Sequence, residues 1–518
     1  MRLLSALALL PLVVLVGSCS RRTTTGSDRA ALAPEAGPAE RTYYVCDCAA
    51  GAADGCVAGT DDAAGTSPHQ PKQTVEAARH LFNATLDAGQ SLFFCRGGSF
   101  RLEGNRWVNP RCKAHAPCTV ADYAAPWAKG SEERPLFVQP SVATAFDLSN
   151  PEEPAHEEGY VFKNLRIQAG SSGGWGLFIY NDVDDVLLDN VAIEGFSIGV
   201  HVAGANDATQ GHDNARITLR NSQILDNATH GFLGGAKGLL LENNTFAHNG
   251  HAFGHASEQH HNVAISGIVP HTEDVVVRGN DLTRSAIDAR GKCVGASLVA
   301  HGVIARLRIE ANRVHEEPGV AEPGCFGIAV DPAYTTPEKF EDVVIRRNKV
   351  LNAGLVGIGT ASCVRCTLED NVVVFSAGAG YAIAAPDRER GLDDEPMSHV
   401  IVRNNAIYYG PGTLGGTAIT LGGEGSGHEV SHNAIKYLGD ATGSFTCANE
   451  DLPRSAYADV DHNACFFPNA IGITEWKSGA GTKPSPLAAA RAAGFDLHSR
   501  MVDPAFDGGV DVPFESAR

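Results

Sequence analysis

The densest chemistry in the sequence is a run of histidines: His248-Asn-Gly-His251, His255 and Glu258-Gln-His260-His261, with His230 upstream of them. Imidazole can take or give a proton near neutral pH, or ligate a metal. Three readings of the run stand side by side. Zinc would need three of these rings, but the segment is Gly-rich and has no helical i,i+4 pair to present them. A solvated loop with no role is the second reading, and a polysaccharide site is the third. His230-Gly and His261-Asn each open a Gly/Val-rich stretch with strand character, so the two rings can stack on one face. Further along come Arg284, Asp288, Arg290 and Lys292, the concentrated positive charge near those histidines.

That combination has a chemical logic. Eliminating a glycosidic bond next to a uronate needs a cation to neutralise the carboxylate and a base for the adjacent C–H. A base from His230, His261 or Lys292 beside Arg284 or Arg290 would meet both demands, which makes His230, His261, Arg284 and Lys292 the candidate catalytic set. His255, His260, Asp288 and Arg290 would contact substrate. Calcium is a candidate for the neutralising role where carboxylates cluster; no cofactor is demanded. Hydrolysis would need two carboxyl groups roughly 5–10 Å apart. Asp184-Asp185 and Asp393-Asp394 are adjacent in sequence and would point to opposite faces of an extended strand. Binding without catalysis also stays open.

The chain has 518 residues and a formal charge of −19, which argues against nucleic acid and anionic membrane surfaces as partners. An acidic polysaccharide remains accessible through a local basic cluster or a bridging cation. Besides Cys19 there are twelve cysteines, in two groups from Cys46 to Cys118 and from Cys293 to Cys465. Cys46-Asp-Cys48 and Cys363-Val-Arg-Cys366 lack the second CxxC of a zinc ribbon, so disulfides are expected. Connectivity within the first group stays open.

The elements that must position these residues are read from a repeat. Its unit is apolar, two variable residues, Asn, one variable residue, apolar. Clear copies carry Asn244, Asn280, Asn312, Asn348, Asn371, Asn405, Asn433 and Asn463. Weaker copies begin at Phe162, Leu188 and Leu219. A short β-branched run such as Asp342-Val-Val-Ile-Arg precedes each copy, which is strand chemistry. In a coil of parallel strands the same residue of each rung stacks about 4.8 Å above the last. An inward Asn at a turn can then bond the next Asn and the turn backbone. The spacing therefore predicts an all-β fold, a right-handed parallel β-helix of about 10–11 rungs over residues 159–470. Cys293 and Cys325 each follow an Asn slot by 13 residues, so stacking places them within disulfide reach. Surplus residues of longer rungs, at 203–214, 270–274, 331–341 and 386–398, are expected to leave the coil as loops that wall a groove.

These slots resemble the pectate-lyase-like superfamily of parallel β-helices. Thr42-Tyr-Tyr-Val45, Gln73-Thr-Val-Glu-Ala-Ala78, Ala88-Gly-Gln-Ser-Leu-Phe-Phe94 and Arg96-Gly-Gly98 resemble the opening of secreted β-helix carbohydrate enzymes. Trp476, Gly494-Phe-Asp-Leu-His-Ser499 and Asp503-Pro-Ala-Phe506 resemble their closing segment. The resemblance implies a capping segment at 41–158, with a helix from about Thr74 to Leu86, and a closing segment at 471–518. It implies a polysaccharide partner and carries over no catalytic residue. At the N-terminus, Arg2 precedes the apolar run Leu3 to Val16, and Val16-Gly-Ser-Cys19 resembles a bacterial lipoprotein cleavage box. That resemblance implies a signal peptide over 1–19, an acyl group on Cys19 and a tether over 20–40. Ser20 favours the outer membrane, so the chain is expected to be an exported monomer, anchored there by lipid alone or secreted.

Overall fold

A computed structural model describes residues 41–150, 156–171, 173–204, 213–386, 393–440, 444–468, 476–479 and 486–504. The leader, Cys19, the tether and parts of the loops at 203–214 and 386–398 lie outside the described residues.

The described strands form three parallel sheets of 14 strands each, wound as a parallel β-helix. Each rung contributes one strand to each sheet in turn, as in Leu240–Glu242, Thr245–Ala247 and His261–Glu273. Eleven strands of the first sheet fall between Glu157 and Asp461, in line with the rung count drawn from the Asn slots. Three more come from the N-terminal segment: Thr42–Val45, Ser91–Cys95 and Cys118–Tyr123 pair onto the same sheet. That segment therefore extends the coil as well as capping it. The cap is the helix Val75–Ala84, whose Thr74 side chain accepts from the Ala77 amide. Its Phe82 packs on Trp107 and Tyr160, covering the apolar end of the coil.

The interior is a continuous column of Val, Ile, Leu and Phe from all three sheets. At one corner the Asn slots stack as a ladder. Asn244 Nδ2 donates to Asn280 Oδ1 at 3.0 Å, and the pattern repeats through Asn312, Asn348, Asn371, Asn405, Asn433 and Asn463 at 2.9–3.1 Å. The same Oδ1 atoms accept the amide of the Asn one rung before, as from Asn312 to Asn348 at 3.0 Å. The residue preceding each slot, such as Ala311, Arg347 or Asp370, sits at positive φ. This left-handed residue turns the corner and leaves backbone groups facing inward, and the Asn satisfies them. A second ladder, Asn227–Asn249–Asn262, occupies another corner where the sequence offers no fixed slot.

Asn348→Ala should destabilise the protein by about 1–3 kcal/mol, because buried amides of two rungs lose their partners. The exposed neighbour exchange Arg347→Lys should change little. Thermal unfolding of the two variants checks this; equal melting temperatures would remove the ladder's stabilising role.

All twelve described cysteines are paired. Those of the two short motifs form Cys46–Cys95, Cys48–Cys56 and Cys363–Cys366, which leaves no thiolate there for zinc. Six disulfides mark an exported protein that folds in an oxidising compartment. No described helix is long and apolar enough to cross a membrane.

Candidate functional site

The third sheet presents a nearly unbroken row on its outer face: Phe178, His201, Leu233, Ala264, Val299, Ala329, Gly359, Ala384, Thr420 and Asn449, each in register with the next. Ten positions span roughly 40 Å at one rung per step. In the middle the side chains are small. Ala264, Ala296, Val299 and Ala329 form an apolar cluster separate from the interior core, flanked by Leu233 and Phe326. Small residues on the sheet and loops beside it make a trough.

The middle of the trough holds a cleft of about 610 Å³. Glu258 and Gln259 wall it on one side, Pro323, Gly324 and Phe326 on another, and residues 331–334 on a third. The last wall belongs to the loop expected at 331–341. The disulfide Cys293–Cys325 ties the wall bearing Phe326 to the rung before it, with Cα atoms 5.4 Å apart. In the ladder Cys293 pairs with Ala321 rather than Cys325, an offset taken up by the turn between them.

Three histidines line the cleft: His230, His261 and His301. His230 and His261 are directly in register, with ring centroids 5.5 Å apart. His301 follows at 6.4 Å from His261, and the Tyr334 ring stands 5.7 Å from His301. His261 Nδ1 faces the Ala296 carbonyl at 3.0 Å, and His301 Nδ1 faces the Asp331 carbonyl at 2.6 Å. A carbonyl can only accept, so each Nδ1 carries a ring proton and each Nε2 is turned away from that carbonyl. Burial, with His230 beside it, holds His261 well below the ordinary histidine value. Burial likewise lowers His230 to about 4, with His260 adding to the effect. Both rings are therefore neutral at any ordinary pH.

The Tyr334 hydroxyl is 3.0 Å from Ser266 Oγ, and burial pushes its ionisation above the usual tyrosine value, so it keeps its proton. Its loop is pinned from beneath by the buried Glu338. That carboxylate accepts the Ala333 amide at 2.6 Å together with the amides of Tyr334 and Gly302. The Glu338 amide in turn donates to Asp394 at 2.8 Å.

The sequence-derived set is divided by the fold. His230 and His261 come together as expected, and His260 lies beside His230 at 6.3 Å. Arg284, Asp288, Arg290, Lys292 and His255 do not line the cleft. Arg284 occupies a left-handed corner next to buried Glu316. Asp288 and Arg290 pair with each other at 2.7 Å, and Lys292 Nζ donates to the Gly319 carbonyl at 2.5 Å. These four belong to an outer loop, because the chain leaves the sheet after Thr283 before returning at Leu298. Asp184 and Asp185 both meet Arg216, at 2.8 and 2.7 Å. Positive φ at Asp185 turns its side chain to the same guanidinium instead of the opposite face.

His301, Tyr334, Asp331 and Glu338 carry the cleft and were not singled out by the sequence. His301 sits in an apolar strand, and its offset from the Asn slot differs from that of His261. The only available signal was the surplus length of residues 331–341.

The cleft brings together no group of three metal-ligating side chains among the described residues. Among the described residues, three-ligand groups occur only at Cys293–Glu316–Cys325, whose thiols are bonded to each other, and at Asp461–His462–His498 near the coil's end. Glu258 and Asp331 of the cleft belong to neither.

Glu316 gives the region a pH signature. Its Oε1 accepts the Ser285 amide at 3.0 Å, and burial pushes its carboxyl up to about 8. The unfolded chain ionises this group near 4.5. Its contribution to stability is therefore complete below that value and is lost as pH rises towards 8, at up to about 1.4 kcal/mol per pH unit. Glu316→Gln should gain on the parent protein in melting temperature between pH 5 and pH 8. A constant difference across that window would contradict the assignment.

No protein-family model and no curated protein matches the chain. Among solved structures it is similar to a lacto-N-biosidase from Eubacterium ramulus, at 12% identity and a TM-score of 0.45, over 71% of this chain and 64% of that one. The Dettilon tailspike protein matches at 12% identity and 0.46, over 74% and 65%. The A-module of the Azotobacter vinelandii mannuronan C-5 epimerase matches at 12% and 0.42, over 87% and 98%. The chain spans just under two thirds of the length of the first two. The parallel β-helix itself is read from the three parallel sheets of this chain.

Proposed function

We propose that this protein binds an extended polysaccharide along its third sheet and cleaves it by β-elimination next to a uronate residue. The observation that carries the proposal is the grouping of His261 and His301, each with Nδ1 fixed on a carbonyl, with the protonated Tyr334 in one cleft. His301 Nε2, nearest Tyr334, takes the proton from the carbon beside the uronate carboxylate. The bond to the leaving glycosidic oxygen breaks, and the Tyr334 hydroxyl gives that oxygen a proton. A carbon–carbon double bond is left at the new chain end. His261 and His230 hold the ring row in place.

No Lys or Arg lines the cleft among the described residues, and the chain is acidic overall. The carboxylate is therefore met by neutral donors such as the Gln259 amide. A densely charged polymer would be repelled, so the favoured substrate is one in which uronates alternate with neutral sugars. The lipid on Cys19 would hold the protein as a monomer at the outer membrane, beside such polymers.

Hydrolysis is the second reading, favoured by one observation: Glu258 and Asp331 both line the cleft. Absorbance near 235 nm separates the two, because only elimination creates an unsaturated uronate. Across pectins, alginate, glycosaminoglycans and mixed bacterial exopolysaccharides, at least one polymer should give a rising signal without added calcium. Release of reducing ends with no absorbance would transfer the site to hydrolysis, and no release of either kind would leave a binding protein.

A further inference from the structure

Upstream of the histidines, the same outer face carries a group of rings that the cleft does not use. Trp175, Phe178 and Tyr180 project from the strand Trp175–Tyr180, and His201 from the next rung. Trp175 and Phe178 have centroids 4.3 Å apart, and Phe178 and Tyr180 stack at 5.6 Å with planes 15° apart. His201 lies 4.9 Å from Trp175 and 5.2 Å from Phe178. All four are half-buried, in contrast to the fully buried Trp107 and Trp476.

The position of the group ties it to the cleft. Trp175 is in register with Ile198, and Ile198 with His230. Phe178, itself in register with Asp147 of the preceding rung, lies in the row that continues through His201 and Leu233 to the trough floor at Ala264. Trp175, Phe178 and Tyr180 therefore stand two rungs from His230, roughly 10 Å along the same groove, and His201 stands one rung away. Burial lowers His201 to about 4, so the group carries no charge at neutral pH.

From this geometry we infer that Trp175, Phe178, Tyr180 and His201 form a sugar-stacking subsite that holds an uncharged pyranose residue of the polysaccharide bound in the cleft. The negative faces of the rings match the weakly positive C–H face of a pyranose, and an uncharged platform offers nothing to a carboxylate. The inference rests on the reading of the groove as a polysaccharide path. It adds that a neutral residue occupies the end nearest the N-terminal cap.

Trp175 is its own reporter. Neutral hexasaccharides of β-1,4-linked glucose, mannose and galactose should be titrated against the intact protein, following tryptophan emission. At least one should shift the emission saturably. Trp175→Phe, which keeps a ring, should bind within a few-fold of the parent when followed by calorimetry. Phe178→Ala and Tyr180→Ala should each weaken binding at least tenfold with unchanged circular dichroism. His301→Ala, which lies outside the subsite, should leave this binding intact, and so separates failure of the subsite from failure of the cleavage proposal. Binding that is lost in His301→Ala and kept in Phe178→Ala would overturn the inference. So would the absence of saturable binding to every neutral hexasaccharide.

Discussion

Tyr334→Phe should lower kcat on a cleaved polymer by about 10²–10⁴-fold while leaving KM within a few-fold, the range expected when a positioned proton donor is removed. The exchange removes one oxygen and keeps the ring that packs 5.7 Å from His301. The lost hydrogen bond to Ser266 is a single partly buried contact, so the melting temperature should move little. His301→Ala should cause a loss of the same order, because it deletes the Nε2 atom whose orientation the Asp331 carbonyl sets. Combining the two should cost little more than either alone if both serve one proton path. The controls come from the outer loop: Arg284→Ala and Lys292→Ala should retain near-parental kcat. A tenfold or larger loss in either control, with Tyr334→Phe active, would return the chemistry to the basic loop.

The second large effect concerns Glu338, which touches no substrate. Its carboxylate is buried and collects three backbone amides, two of them from the loop that bears Tyr334. Glu338→Ala takes the acceptor from those donors, at about 1–3 kcal/mol for each that stays buried, so a loss of about 3 kcal/mol is expected. Activity should fall with stability, because Ala333 and Tyr334 lose the anchor that makes them a wall. Glu338→Gln keeps one acceptor oxygen and should recover part of both. Paired measurements of melting temperature and kcat test the anchoring. An alanine variant as stable and active as the parent would show that the loop holds itself.

The Asn slots were legible because each is a local event. A left-handed corner residue, an inward amide and a β-branched run recur within a few residues, whatever the loops between them do. The cleft was only half legible. His230 and His261 each open a strand of the third sheet, and that much is local. Whether Lys292 reaches them depends on where the chain travels between Thr283 and Leu298, and it travels outward, so nearness in sequence did not become nearness in space. His301 and Tyr334 were missed for the same reason. The distance from slot to third-sheet strand changes with every loop, so no fixed spacing marks the residues that face one another across the trough. The Trp175–Phe178–Tyr180 cluster lies next to a weak copy of the repeat, where Gly176 and Leu177 break the simple alternation that would have set its rings on one face.

The central claim is that cleavage proceeds by elimination in the cleft of His261, His301 and Tyr334. Its most direct test is the mass of the oligosaccharides released from a cleaved polymer by the intact protein. Elimination predicts products whose new non-reducing ends are lighter by one water than hydrolysis would give, and predicts their disappearance with Tyr334→Phe. Fully hydrated ends, lost instead with Glu258→Gln or Asp331→Asn, would contradict it.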